Sequence, residues 1–347
     1  MKRSKWIRLT LAIALIGMTA TGCSLGGSGN SGAIDPPPAG EPTPLDSVTP
    51  TAAQVEEAQE QQQVTLYFED ANGFVAPVTM NLPKVEWVGK QALSYMVEGG
   101  PGEAALPAGF RSLLPAGTEV KGMNIDAEQK LATVNFSQAF EQYAKEDERK
   151  ILEAITWTLT SFPTIDKVEL WVEGHPLKQM PVAGTPLDAP LSRIMGINLE
   201  RSPGVSVGQA TPVTVYFEGA AGDYRYLVPV TRLIPRTDNL AEAVMQQLIA
   251  GPAENSNLSA VMLPDVEVLD LMVQDGLVTV DLSEEVRGPD ERVPAESLRA
   301  VVMSLSDSLE AEQVQIMVAG STQVISTEEE AYTLPVNRPV HLNKLEF

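Results

Sequence analysis

The residues best suited to chemistry in this chain are few: one cysteine, Cys23, and two histidines, His175 and His341. A lone thiol with two scattered imidazoles excludes a disulfide framework and a Cys/His zinc cluster. Two acidic stretches stand out as ion-site candidates. Glu69-Asp70-Ala71-Asn72-Gly73 sets oxygen side chains ahead of a glycine, as calcium loops do. A hairpin turn is the better reading, because Asn-Gly between apolar runs marks a type I′ turn. Glu328-Glu329-Glu330 has no second acidic cluster beside it and reads as a solvated charge run. No nucleophile elbow, phosphate-cradling loop or His-Glu-x-x-His helix is present. The expectation is no catalytic residue, no cofactor and no metal, and hence a protein that is not an enzyme.

Cys23 gains meaning from what precedes it. Lys2, Arg3, Lys5 and Arg8 are followed by the apolar run Leu9–Met18 and then by Ala20-Thr21-Gly22-Cys23. This is the layout of a signal peptide over 1–22, cleaved between Gly22 and Cys23. The run is about half the ~20 residues that span a bilayer core, so a permanent transmembrane helix is not expected. A cysteine directly after small residues resembles a bacterial lipobox, in which the thiol takes a diacylglycerol and becomes the new N-terminus. Ala20 stands where most such motifs have Leu, which leaves ordinary cleavage with a free thiol as the alternative. With Cys23 lipidated, the protein is exported and held on the outer face of the cell membrane.

Of 347 residues, 46 are acidic and 24 basic, a net charge of -22. Removal of the leader takes four cations away and leaves -26. Such a body has no basic field for phosphates, which excludes nucleic acid as main partner, and it stands off an anionic membrane surface. Residues 23–63, rich in Gly, Ser, Pro and Gln with little to bury, read as a tether.

Nearly all the remainder is a repeat. Val64-Thr-Leu-Tyr-Phe-Glu69 recurs as Val213-Thr-Val-Tyr-Phe-Glu218, and Gly100-Pro101 as Gly251-Pro252. Leu131-Ala-Thr-Val-Asn-Phe-Ser137 recurs as Leu277-Val-Thr-Val-Asp-Leu-Ser283. Pro190-Leu-Ser-Arg193 with Ile197-Asn198 echoes Pro335-Val-Asn-Arg338 with Leu342-Asn343. The two copies occupy 64–200 and 213–347, joined by a linker over 201–212. Duplication also acts as a control on function: His175 aligns with Ser321, and His341 has no histidine partner, so neither imidazole behaves as a shared base or ligand.

Each copy carries the same element pattern. Strands over 64–69 and 74–80 precede a helix from about Trp87 to Glu98, which should stop at Gly99-Gly100-Pro101. Strands follow at 119–125 and 130–136. A second helix shows Ile151, Leu152, Ile155, Leu159 and Phe162 on one face, matched by Leu298, Val301, Val302, Leu305 and Leu309. A last strand lies at 167–173 or 313–319. The order ββαββαβ, with one apolar stripe per helix, implies an α+β domain with helices on one face of a mainly antiparallel sheet.

Tyr-Phe-Glu in the first strand, Ala250-Gly-Pro252 after a helix, Leu-Pro at 114–115 and 263–264, and Val280-Asp-Leu-Ser283 resemble the GerMN domain. An acylated leader with two such domains in tandem resembles the GerM-like sporulation and germination lipoproteins of endospore-forming bacteria. The resemblance covers roughly residues 64 to 346. It implies a fold like that of ring-building modules. It also implies a non-enzymatic role in assembling or stabilising a complex between mother cell and forespore, on the outer forespore membrane. The implied partners are protein subunits of that complex, with self-association as a further route. A different reading makes the chain a ligand-binding lipoprotein that holds cell-wall fragments in a cleft near Arg201-Ser-Pro-Gly204.

Overall fold

The computed structural model describes residues 60–345 apart from Pro203 and Ser206. Gly22, Cys23, the leader and the tether up to residue 59 lie outside the described residues. Copy 1 runs β1 (Gln61–Glu69), β2 (Val75–Pro83), α1 (Val88–Tyr95), β3 (Val120–Asp126), β4 (Leu131–Phe136), α2 (Glu148–Leu159), β5 (Lys167–Val172) and the short β6 (His175–Pro176). After β7 (Glu200–Arg201), copy 2 repeats it. The elements are β8 (Ala210–Ala221), β9 (Tyr224–Pro235), α3 (Leu240–Ile249), β10 (Val268–Gln274), β11 (Leu277–Leu282), α4 (Ala295–Leu309), β12 (Gln313–Val318) and β13 (Val336–Asn337). The α+β order is the one expected.

The strands of each copy form two groups rather than one sheet. A β1–β2 hairpin stands apart from a sheet in the order β3-β4-β5-β6, and copy 2 has the β8–β9 pair and the sheet β10-β11-β12-β13. Within the sheets β4 and β5 are parallel, as are β11 and β12. The reason is the helix between them, which carries the chain back to the end where the earlier strand began. Ala132, Val134 and Phe136 of β4 and Val168, Leu170 and Val172 of β5 are buried, as period-2 burial against a helix requires. Helix α2 buries Ile151, Leu152, Ile155, Trp157 and Leu159. Each such side chain contributes about 1.5–3 kcal/mol through removal from water. Phe162 lies beyond the last turn, at the rim of the core.

Several boundaries differ from the sequence expectation. Gln61–Gln63, assigned to the tether, belong to β1, because β2 continues to Pro83 and offers them partners. Arg201 and Ala210–Pro212, assigned to the linker, lie in β7 and β8. Helix α1 ends at Tyr95, since Val97 leaves to bridge Leu114. Helix α3 does end as expected, with Gly251 at φ +79 beyond its last turn.

The turn at Asn72-Gly73 is not type I′, which needs both central residues at positive φ. Only Gly73 is there, at +85. Asp70 fixes the geometry: its Oδ1 accepts the Asn72 and Phe74 amides at 2.8 and 2.9 Å, and its carbonyl accepts the Gly73 amide at 3.0 Å. Copy 2 turns more tightly at Gly222-Asp223, with Gly222 at φ +62.

Candidate functional site

The side chains that both copies retain serve turns and junctions. Asn135 Oδ1 accepts the Gly174 amide at 2.9 Å, and both Asp281 oxygens accept the Gly320 amide at 3.0 Å. The Asn/Asp position therefore clasps the turn after the neighbouring strand. Ser137 Oγ accepts the Glu119 amide at 3.0 Å, as Ser283 Oγ accepts that of Glu267 at 2.9 Å, fixing the entry of β3 and β10.

The echoed copy ends meet at the junction between the copies. Asn198, at φ +48, accepts the Val75 amide at 2.8 Å and donates to the carbonyls of Val75 and Pro229 at 2.8 and 2.7 Å. Asn343, at φ +54, repeats this with the roles exchanged. It accepts the Leu227 amide and donates to the carbonyls of Leu227 and Pro77, all at 2.8 Å. Each asparagine thus bridges β2 of one copy and β9 of the other, and its left-handed backbone is one that Asn tolerates.

The chain segments beside them cross over. Glu200 and Arg201, which end copy 1, pair with Arg232 and Leu233 of β9. Lys344, near the end of copy 2, bridges Thr79 of β2, whose hydroxyl donates to the Leu342 carbonyl at 2.6 Å. Each tail thus bonds both to its own copy and to the other.

A buried ion cluster completes this junction. Arg193 from the first tail reaches Asp307 of α4 at 3.0 Å, and Arg338 from the second reaches it at 2.6 Å. Tyr216 donates its hydroxyl to the same carboxylate. Burial alone would raise the Asp307 pKa, but the two arginines outweigh it and hold the group below the usual range. Arg193 also lies over the Trp157 ring, 4.3 Å from its centroid.

The surroundings of the junction are built differently in the two copies. The Tyr67 amide donates to Thr158 and the Tyr216 amide to Ser304, a register that equates Lys150 with Glu296 and Glu153 with Arg299. In copy 1 Lys150 reaches Glu69 at 2.6 Å, Arg149 donates to the Met195 carbonyl at 2.7 Å, and Glu153 accepts the Asn198 amide at 3.2 Å. Helix, hairpin and tail are drawn together. In copy 2 the charge is reversed, and Arg299 turns instead to Glu328 and Glu330. A cavity of about 800 Å³ lies in copy 2, lined by Tyr224, Tyr226, Arg299, Glu330, His341 and Lys344 among others, and by Ala105 and Pro107 of copy 1. The Tyr224 and Tyr226 rings stack at 5.4 Å. Burial, then Lys344, lowers the His341 pKa, so the imidazole is neutral near pH 7.

The sequence candidates are therefore dispersed. His175 is exposed in β6, and His341 lines the cavity. The acidic hairpin residues are engaged: Glu69 pairs with Lys150 and Arg111, and Asp70 Oδ2 accepts the Tyr226 hydroxyl at 2.8 Å. Glu328 and Glu330 hold Arg299 and are not simply solvated. The cavity lies away from Arg201, which is committed to β7. Sequence reasoning missed Asp307 and the crevice. The echoed Ile197-Asn198 and Leu342-Asn343 were a usable signal for the clamps.

Comparison with known proteins agrees with this architecture. The family model for Germane, described as sporulation and spore germination, matches residues 65–178 and again 214–324. The spore germination protein GerM of Bacillus subtilis strain 168 is 40% identical over 304 residues, covering 85% of this chain and 82% of that protein. The solved tandem GerMN domains of the Bacillus subtilis sporulation protein GerM superpose with a TM-score of 0.76 at 39% identity, over 81% of this chain and 99% of that one. With two matched domains and this degree of identity, the chain belongs to the Germane family of sporulation and spore germination proteins.

Proposed function

We propose that this protein is a lipoprotein, anchored through Cys23 on the outer face of the membrane. It acts non-enzymatically in sporulation and germination by assembling or stabilising an envelope complex between mother cell and forespore. The observation that carries the reading is the weld between the copies. Reciprocal tails, two asparagine clamps and a shared aspartate join the copies into one compact unit whose retained polar residues serve architecture. A preorganised unit of this kind suits scaffolding, because less ordering entropy is lost when further subunits bind. Crosslinking in sporulating cells tests it: envelope proteins should be recovered with the chain, and recovery of none refutes the scaffold. Replacement of Cys23 by Ala should release the chain from the membrane fraction and abolish palmitate labelling.

The cavity favours a second reading, in which the protein holds a cell-wall fragment. Its volume falls within the range of small-molecule sites, about 300–1,000 Å³, and the partly exposed ring of Tyr224, backed by Tyr226, can face a sugar ring. Addition of muropeptides should then raise the melting temperature, an effect lost in Tyr224→Ala; no rise rejects it.

A further inference from the structure

A strand with an unpaired edge is a template for another chain, and this fold covers most of its edges. Helix α2 reaches the outer edge of β1 through Thr158, and α4 reaches β8 through Ser304 and Ser308. The β2 and β9 edges carry the crossing tails. Strands β6 and β13 flank β5 and β12. Among the described residues, the sheets end at the two-residue β6 and β13 on one side and at the seven-residue β3 and β10 on the other, with no strand beyond them.

These two edges are equivalent and differently dressed. Both contain one bulge, between Val120 and Gly122 and between Val268 and Asp270. In β3 the bulged residue is Lys121, paired with Glu173, and Asn124 lies opposite Thr133. A charge at a bulge is a standard protection against edge-to-edge pairing. In β10 the same positions hold Leu269 and Met272, which are more than half exposed at 52 and 54%. The protection of one copy is missing from the other.

We infer that the outer edge of β10 receives an extended segment of a protein partner, laid down as an added strand with apolar residues over Leu269 and Met272 and basic residues beside them. The basic character follows from Asp265, Glu267, Asp270 and Asp275, all exposed, with no cation between Asp265 and Asp275. A second copy pairing β10 to β10 would set these carboxylates against their equals, an arrangement that costs free energy. Backbone bonds supply affinity in such strand addition, and side-chain pockets and charges supply choice of partner. This inference rests on the scaffold reading and names its surface.

The test uses the full chain, isotopically labelled in detergent, and two synthetic octapeptides of alternating Val and Thr flanked by Lys or by Glu. The Lys peptide should shift the β10 amides and slow their hydrogen exchange, and the Glu peptide should do neither. The double variant Leu269→Lys/Met272→Asn, which copies the β3 edge, should bind at least tenfold more weakly with an unchanged circular dichroism spectrum and melting temperature. Asn124→Lys should bind as the parent does. Equal binding of both peptides, binding unchanged in the double variant, or self-association that the double variant abolishes would each overturn the inference. If it fails while envelope proteins still crosslink to the chain in sporulating cells, the scaffold reading stands with another surface. If none crosslinks, the scaffold reading falls whatever the peptides do.

Discussion

Asp307→Asn removes one charge from the centre of the junction while keeping the side chain's shape. The carboxylate is 5% exposed and accepts Arg338 Nε at 2.6 Å, Arg338 Nη2 at 3.3 Å, Arg193 Nη1 at 3.0 Å and the Tyr216 hydroxyl. Loss of one partner in a buried pair costs about 3–5 kcal/mol, because the remaining charge stays desolvated. Here two guanidiniums are left facing each other, so the upper half of that range is expected. At about 2 °C per kcal/mol for a body of this size, the melting temperature should fall by about 8–10 °C. Urea unfolding of the parent, Asp307→Asn, Arg193→Ala, Arg338→Ala and the paired variants separates the contributions. The Asp307–Arg338 coupling should exceed that of Asp307–Arg193, since Arg338 makes two contacts, whereas Arg193 is also held by Trp157 and by Thr160 at 3.0 Å. The pH dependence has a definite sign. A depressed folded pKa means stability that is present above the ordinary Asp value of 3.8 and lost as pH falls through the folded value. The difference between parent and Asp307→Asn should therefore be constant at neutral pH and shrink only below about 3.8. A loss under about 1 kcal/mol, the scale of an exposed pair, would refute the reasoning.

Other consequences concern the clamps, the acid limb and the crevice. Asn343→Ala removes three hydrogen bonds to β2 and β9 and should destabilise by about 3 kcal/mol in urea. Asn343→Gly, which relieves the left-handed strain at φ +54, should lose about 1 kcal/mol less. Glu148 is pushed down to about 2, because hydrogen bonds from Thr185, Ala183 and Tyr143 outweigh the upward effect of burial. Its stabilisation should vanish as pH falls from about 4.5 towards about 2, and acid titration of Glu148→Gln should show a flatter limb. Glu153→Gln should loosen the first tail, seen as faster hydrogen exchange at the Asn198 amide that donates to it.

The duplication and the element order were legible before any coordinates, because apolar spacing of 2 and 3.6 residues records which face of each element is buried. The α2 stripe and the paired β4 and β11 strands lie where periodicity places them. Ends were less legible: Gln61–Gln63 have the composition of a tether and become strand only because β2 extends opposite them. The type I′ reading of Asn72-Gly73 failed for a related reason, since Asp70 imposes another turn through bonds that the dipeptide alone does not reveal.

What the sequence determined by itself is therefore two copies of one α+β unit, built from local periodicity. Only the tertiary structure decided that each tail bonds to both copies, that Arg193 and Arg338 share Asp307 across separations of 114 and 31 residues, and that a crevice opens beside Tyr224 of copy 2. Such contacts join residues with no periodic relation, so their energy depends on where the folded backbone brings them. The exchange of Lys121 for Leu269 is visible in both strings of letters, but its meaning appears only when both fall at the same bulge of an open edge.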